Sequence, residues 1–129
     1  MSRAIEVAAQ AYALAKKSQH KQLRELVADD ATWEPAKKAK WKPCINADQI
    51  VQTLLWRAGR ANKLRPGETI DLGSQVVMQM RGKRLERLGA RGLLTPKLFQ
   101  VIEIKDGKIV RMHDHTKLEE ALAATGHKG

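Results

Sequence analysis

The chain has 129 residues, 43% hydrophobic and 29% charged, which is the length and balance of one globular domain and not of a disordered segment. No apolar run approaches the roughly 20 residues that cross a bilayer, so no membrane partner is expected. Cys44 is the only cysteine, which excludes an internal disulfide and a thiolate metal cluster. The net charge of +10 gathers in three stretches, 37–42 (KKAKWK), 57–65 and 81–91. Such charge draws nucleic acid or acidic ligands by long-range Coulomb attraction, and it equally suits a self-repelling surface with no specific partner.

The elements follow in chain order. Ile5 to Lys17 places Ile5, Ala8, Ala9, Tyr12 and Ala15 at helical spacing. Glu6 and Gln10 break its apolar run and no cleavage site follows, so it reads as a helix and not a signal peptide, with a cytoplasmic location expected. A shorter helix after Ser18-Gln19 turns Leu23, Leu26 and Val27 inward and ends at Asp29-Asp30. Ala31–Glu34 is then a brief strand stopped by Pro35. Residues 35–43 form a loop around the first basic run. Asn46 with Gln49 makes a capping-box pattern, and the helix it opens carries Ile50, Val51, Leu54, Leu55 and Ala58 on one face. Gly59 and Pro66-Gly67 close that helix.

From Glu68 the period changes to strands, Thr69–Leu72 and Gln75–Arg81. Residues 82–92 are charged and punctuated by glycine, which reads as an extended hairpin or a mobile loop. Lys97–Ile104 and Lys108–Thr116 are joined by Asp106-Gly107, the pair that favours a type I′ turn. Lys117–Ala124 is a terminal helix with Gly126 as its cap. A regular two-residue hairpin places Phe99, Val101, Glu103, Val110, Met112 and Asp114 on one face. Leu98, Gln100, Ile102, Ile104, Ile109, Arg111, His113 and His115 then share the other. Both faces hold apolar residues, so both need cover: helices on one, and a second copy of the sheet on the other.

This order of elements resembles the SnoaL-like (polyketide cyclase-like) branch of the nuclear transport factor 2-like superfamily across nearly the whole chain. The residues that carry the resemblance are Asp29–Trp33, Asn46–Ile50, Phe99-Gln100-Val101 and Asp106–Arg111, extended by Asp114 and Glu120-Ala121-Leu122. The resemblance implies a single α+β domain over residues 1–129, a cone of N-terminal helices packed on a curved, mostly antiparallel sheet with a short C-terminal helix. It further implies a site in the mouth of the cone and a sheet-to-sheet homodimer, here through Gln100, Ile102, Ile104, Arg111 and His113. The superfamily holds ketosteroid isomerases, polyketide cyclases, limonene epoxide hydrolase, scytalone dehydratase and many proteins without catalysis, so the fold does not name a function.

Asp114 looks like the acid/base aspartate of limonene epoxide hydrolase and the polyketide cyclases. A carboxylate in an apolar cone suits proton transfer, while the plainer reading is a structural ion pair. The epoxide hydrolase pattern otherwise fails. Its paired arginine and second aspartate correspond best to Arg81 and Gln79, and Trp33 and Pro35 replace its water-holding residues. An Arg81–Asp114 pair remains, able to bind an anion or polarise a carbonyl. Tyr12, Trp33, Gln79, Phe99 and Met112 complete the expected ligand-binding set around it. Trp56 reads as core filler, and Trp41 as a cover over the mouth or a stacking surface.

Two histidines without a third ligand on their face make a poor metal site, so no metal and no cofactor is expected. The pair is instead expected at the dimer interface, as a pH-sensitive element. Cys44 lacks an activating base. The expected function is binding of a small apolar or ring-bearing molecule, with isomerase, cyclase or hydrolase chemistry at Asp114. The alternative is a non-catalytic dimeric module whose basic loops bind nucleic acid or an acidic partner.

Overall fold

The computed structural model describes residues 3–36, 42–59, 64–82 and 98–126. The expectations for Trp41 and for residues 83–92 fall outside them. Helices α1 (Arg3–Lys16), α2 (His20–Glu25) and α3 (Ala47–Ala58) precede most of the sheet. Its strands are β1 (Val27–Glu34), β2 (Arg65–Asp71), β3 (Gln75–Arg81), β4 (Leu98–Lys105) and β5 (Lys108–His115), and α4 (Leu118–Ala124) closes the chain. The strand order is β1-β5-β4-β3-β2, with β1 and β5 parallel and every other pair antiparallel. The sheet is open, and the architecture is the expected α+β cone. No helix among the described residues is long and apolar enough to cross a membrane.

Helices α1–α3 cover the inner face of the sheet. Ala8, Ala11, Tyr12 and Ala15 of α1 and Ile50, Val51 and Leu54 of α3 meet Val76, Met78, Met80, Ile102, Ile104, Ile109 and Met112 in one buried cluster. Each large aliphatic side chain in that row contributes about 1.5–3 kcal/mol by leaving water. The small residues of α1 let its backbone lie close to the sheet. On the outer face, Val77, Phe99 and Val101 pack under Ala121 and Leu122 of α4.

The cap of α3 forms as expected. Asn46 Oδ1 accepts from the Gln49 backbone N–H at 2.9 Å, and Gln49 Oε1 accepts from the Ile45 N–H at 2.8 Å. The first strand begins earlier than expected, so Asp29 and Asp30 lie inside β1 and do not end α2. Arg24 holds the first of them. It donates to Asp29 at 2.7 Å, to Asp48 at 3.0 Å and to the Val27 carbonyl at 3.1 Å, joining α2, β1 and α3 and holding the Asp29 carboxyl below its usual range. Pro66-Gly67 likewise lies within β2, where an edge strand with a register irregularity tolerates the missing N–H.

One correction governs the site. Ile104 pairs with Ile109 but Glu103 pairs with Arg111, so Val110 is an extra residue in β5. Because strand side chains alternate, one inserted residue reverses every side chain beyond it. Gln100, Ile102, Met112 and Asp114 therefore share the inner face, while Phe99, Val101, His113 and His115 share the outer one. The dimer surface expected through Gln100, Ile102, Ile104, Arg111 and His113 loses its first three members to the interior. Phe99 and Gln79, which pair with each other across β3 and β4, leave the expected ligand set for the outer face.

The turn of the β4–β5 hairpin is the expected one, with φ of 53° at Asp106 and 77° at Gly107. A β-carbon in the left-handed region costs about 1–2 kcal/mol. Gly107→Ala should therefore lower the midpoint of thermal unfolding by several degrees, measured by circular dichroism. An unchanged midpoint would show that the turn does not set the hairpin.

Candidate functional site

Five side chains from five elements converge inside one end of the cone, between the helices and the sheet. Asp114, one residue from the end of β5, is at the centre. Its Oδ1 accepts from Trp33 Nε1 at 2.9 Å and from Gln100 Nε2 at 3.1 Å, and its Oδ2 lies 3.2 Å from Arg57 Nη1. Tyr12 donates its hydroxyl to Gln100 Oε1. The Arg57 guanidinium also stands over the Trp33 ring, 4.7 Å from its centroid, a cation–π contact that keeps the cation flat against the indole.

Each position follows from local structure. Trp33 and Met112 are neighbours in the parallel β1–β5 pair, and Gln100 is the direct partner of Asp114 across β4–β5. An antiparallel bridge between Trp33 and Cys44 holds the chain against the free edge of β1. Arg57 stands three residues beyond Leu54 and seven beyond Ile50, which puts it on the flank of the buried stripe of α3.

The two carboxylate oxygens are not equivalent. Trp33 Nε1 can only donate, and the Gln100 amide nitrogen also donates, so Oδ1 already serves as acceptor twice. A proton on Asp114 therefore belongs on Oδ2, the oxygen that faces Arg57. The Asp114 side chain is 2% exposed and that of Arg57 15%. Burial pushes the Asp114 carboxyl above the usual carboxylate range, against the opposing pull of the Trp33 donor, the Arg57 charge and the Gln100 donor. Burial, and then the nearby Asp114 charge, also raise the Tyr12 phenol, so it stays a donor.

The site departs from the expected one at named positions. Arg57 holds the carboxylate that Arg81 was expected to hold. Arg81 is exposed at the end of β3 on the outer face, with its chain lying over Gly67. Trp33, Tyr12 and Met112 do meet Asp114 on the inner face, whereas Gln79 and Phe99 do not. Trp56 is 62% exposed, because the buried stripe of α3 runs through Ile50, Leu54 and Ala58 and leaves residue 56 on the far side. Gln100 was legible as the one polar member of the row Leu98, Gln100, Ile102, Ile104, and Arg57 as a basic residue bordering an apolar helix face. A separate surface hollow of about 320 Å³ lies at the other end of the sheet, against Ala4, Gly73, Ser74, Ile104, Asp106 and Gly107. Among the described residues no group of three metal-ligating side chains occurs.

On the outer face, His113 Nδ1 and His115 Nε2 are 2.7 Å apart, with one nitrogen donating and the other accepting. Burial, then the neighbouring His115 and Arg111 charges, lower His113 to about 4.

Two outcomes follow. Tyr12→Phe keeps the ring but frees the Gln100 amide to turn its oxygen toward Asp114. The Asp114 carboxyl should then titrate higher than in the parent protein, because it loses a donor to its charged form, read from its side-chain carbon resonance. An unmoved titration would show that Tyr12 does not orient Gln100. For His113 the folded pKa lies below the unfolded value, so the unfolded chain binds the extra proton. Its contribution to stability is thus intact above about pH 6.5 and falls as the pH drops toward 4, by about 1–2 kcal/mol between pH 7 and pH 5. Urea unfolding across that range should show a slope that His113→Asn flattens, and equal slopes would contradict the assignment.

No family model matches the sequence, and no curated protein sequence matches it. Solved structures do. An LEH-like epoxide hydrolase from M. tuberculosis superposes with a TM-score of 0.63 at 13% identity, over 94% of this chain and 87% of that one. A protein of unknown function from Mesorhizobium loti gives 0.68 at 16% identity, over 89% of this chain and 91% of that one. A designed protein with a curved β-sheet gives 0.62 at 12% identity, over 98% and 96%. Identities this low establish shape and not chemistry: the chain has the nuclear transport factor 2-like fold.

Proposed function

We propose that this chain binds a small ring-bearing carbonyl compound at the Asp114 end of the cone and that Asp114 moves a proton on it. The observation that carries the reading is the division of labour on one buried carboxylate: Oδ1 held by Trp33 and Gln100, Oδ2 turned to Arg57. In this scheme Oδ2 takes a proton from the carbon beside the carbonyl. The C–H electron pair moves through the new C=C bond onto the carbonyl oxygen, and Arg57 donates to that oxyanion. Return of the proton, to the same carbon or another, regenerates the carboxylate. A carboxyl raised by burial is a stronger base for this task than one in water. Approach to Oδ2 runs past Arg57, the most exposed of the three side chains that hold Asp114.

Isomerase- or cyclase-type chemistry fits this set better than epoxide hydrolysis. Hydrolysis of an epoxide needs one group to activate a water and another to protonate the leaving oxygen. Among the described residues Asp114 has Gln100 and Met112 around it on the inner face, with no second carboxylate.

The test is solvent exchange. A panel of cyclic and aryl ketones is held with the protein in D2O, and loss of the proton signals beside the carbonyl is followed by NMR. Exchange above the buffer rate is expected for at least one ring class. Asp114→Asn should lower it by at least 100-fold while the far-ultraviolet dichroism is unchanged. Exchange that survives in Asp114→Asn would remove the carboxylate from the chemistry.

A further inference from the structure

The inner face of the sheet changes character along its length. β3 and β5 run in the same direction with β4 between them. Met80, one residue from the end of β3, therefore stands at the same end as Asp114, one residue from the end of β5. Asp114, Gln100 and Met78 form one row across β5, β4 and β3, and Leu98 with Met80 forms the next row toward that end. Neither row holds a side chain branched at the β-carbon. The rows on the other side bury Val76, Ile102, Ile104 and Ile109, together with Met112. Three of the four methionines of the chain thus lie on this one face. Branched side chains are stiff and suit a sheet packed under helices, whereas methionine turns about three bonds and repacks readily.

A ligand at Asp114 Oδ2 needs space that the folded chain fills. The Asp114 side chain is 2% exposed, and Met78 and Met80 are 1% and 3% exposed. Something must therefore turn aside before a ring reaches the carboxylate. The polar neighbours are held in place. Trp33 is fixed by Asp114 and by the Arg57 cation over its ring, and Gln100 by both Asp114 and Tyr12. Swinging any of them away would leave a buried donor or acceptor short of a partner. Met112 lies on the far side of the Asp114 row, paired with Trp33 on one strand and Ile102 on the other. A thioether gives up only packing contacts when it turns, and an unbranched chain has other staggered rotamers to adopt. Two strand spacings, about 10 Å, separate β3 from β5. A ketone with its reacting carbon at Oδ2 and one ring directed toward β3 spans that width.

We infer that Met78 and Met80 form the yielding wall of this site: the ring of the ligand seats over Leu98 in space that these two side chains vacate, and Met80 sets how large that ring can be. The inference rests on the reading of Asp114 as a proton-transfer group for a ring-bearing carbonyl compound. It puts the carbonyl end between Asp114 and Arg57 and the ring end against β3. A thioether at the edge of an aromatic ring adds a favourable sulfur–aromatic contact, so an aryl ketone gains more from this wall than a saturated ring. A methionine pair that only filled the core would not discriminate between ligands.

The experiment labels the methionine methyl groups with carbon-13 and adds cyclohexanone, acetophenone and α-tetralone in turn, alongside the proton-exchange assay. The methyl resonances of Met78 and Met80, assigned through Met78→Leu and Met80→Leu, should move with acetophenone more than that of Met112. Met80→Leu keeps the volume but stiffens the wall, and should lower acetophenone exchange about two- to tenfold. Met80→Ala should raise the ratio of α-tetralone to cyclohexanone exchange by about tenfold, the discrimination that a methylene-sized space carries. If Met80→Ala does not fold, the displacements in the parent protein and the Met80→Leu rate decide. Variants that slow all three ketones alike and leave their ratios unchanged would overturn the inference, because that is the mark of a purely structural methionine. Asp114-dependent exchange with Met112 as the most displaced methyl would also overturn it, moving the ring to the β1 side while the proton-transfer reading stands. Displacement of Met78 and Met80 without exchange would uphold the seat of the ring and remove the chemistry. Neither exchange nor displacement with any of the three would overturn both.

Discussion

A single inserted residue in β5 decides what this molecule contains. With Val110 out of register, Asp114 and Met112 turn under the helices and His113 and His115 turn away from them. In a regular hairpin the same sequence would bury an imidazole pair beneath α1 and α3 and place the carboxylate under α4. The bulge lies four residues from Asp114 along β5, yet it selects which ionisable group the helices enclose. Such insertions re-aim side chains without lengthening a loop, and they increase the local twist that a cone needs.

Once inside, the carboxylate imposes conditions on everything around it. An unpaired charge there would lose several kcal/mol of hydration. Trp33, Gln100 and Arg57 offset that loss with three hydrogen bonds from three elements, and Tyr12 fixes the amide that supplies one of them. No described buried side-chain nitrogen or oxygen lacks a partner. The arrangement couples α1, α3, β1, β4 and β5 through polar contacts set in an otherwise apolar cluster. Removing any one donor leaves a buried acceptor short, which is why such networks behave as units. The same coupling fixes the carboxylate in one orientation.

Much of the fold was legible in the sequence because its signals are local. Asn46 with Gln49 marks a helix start, Asp106-Gly107 marks a tight turn, and the apolar stripe of α3 is periodic. That Asp114 lies on the helix-covered face near Trp33 and Tyr12 was also legible. The partner arginine was not. Arg81 shares a strand alternation with Gln79, and only the observed pairing of Gln79 with Phe99 shows that both face outward. Alternation predicts faces only while the count is unbroken, and nothing in Ile109-Val110-Arg111 announces that one residue is extra. Arg57 lies in a helix, and its meeting with a strand 57 residues later depends on how α3 crosses the sheet, a tertiary fact without a local signature.

The parallel β1–β5 pair has a consequence for how the chain comes to be folded. Trp33 meets Asp114 across 81 residues and Tyr12 meets Gln100 across 88. Every polar contact of the enclosed carboxylate thus waits for the last strand, and all but its bond to Gln100 must then close over 57 residues or more. During synthesis the amino-terminal helices and β1 emerge with their apolar faces uncovered and no strand to receive them. Long-range closure of this kind is slow, because loop entropy is lost before contacts repay it. The compact β4–β5 hairpin, with its tight turn, is the natural template on which the waiting helices then condense.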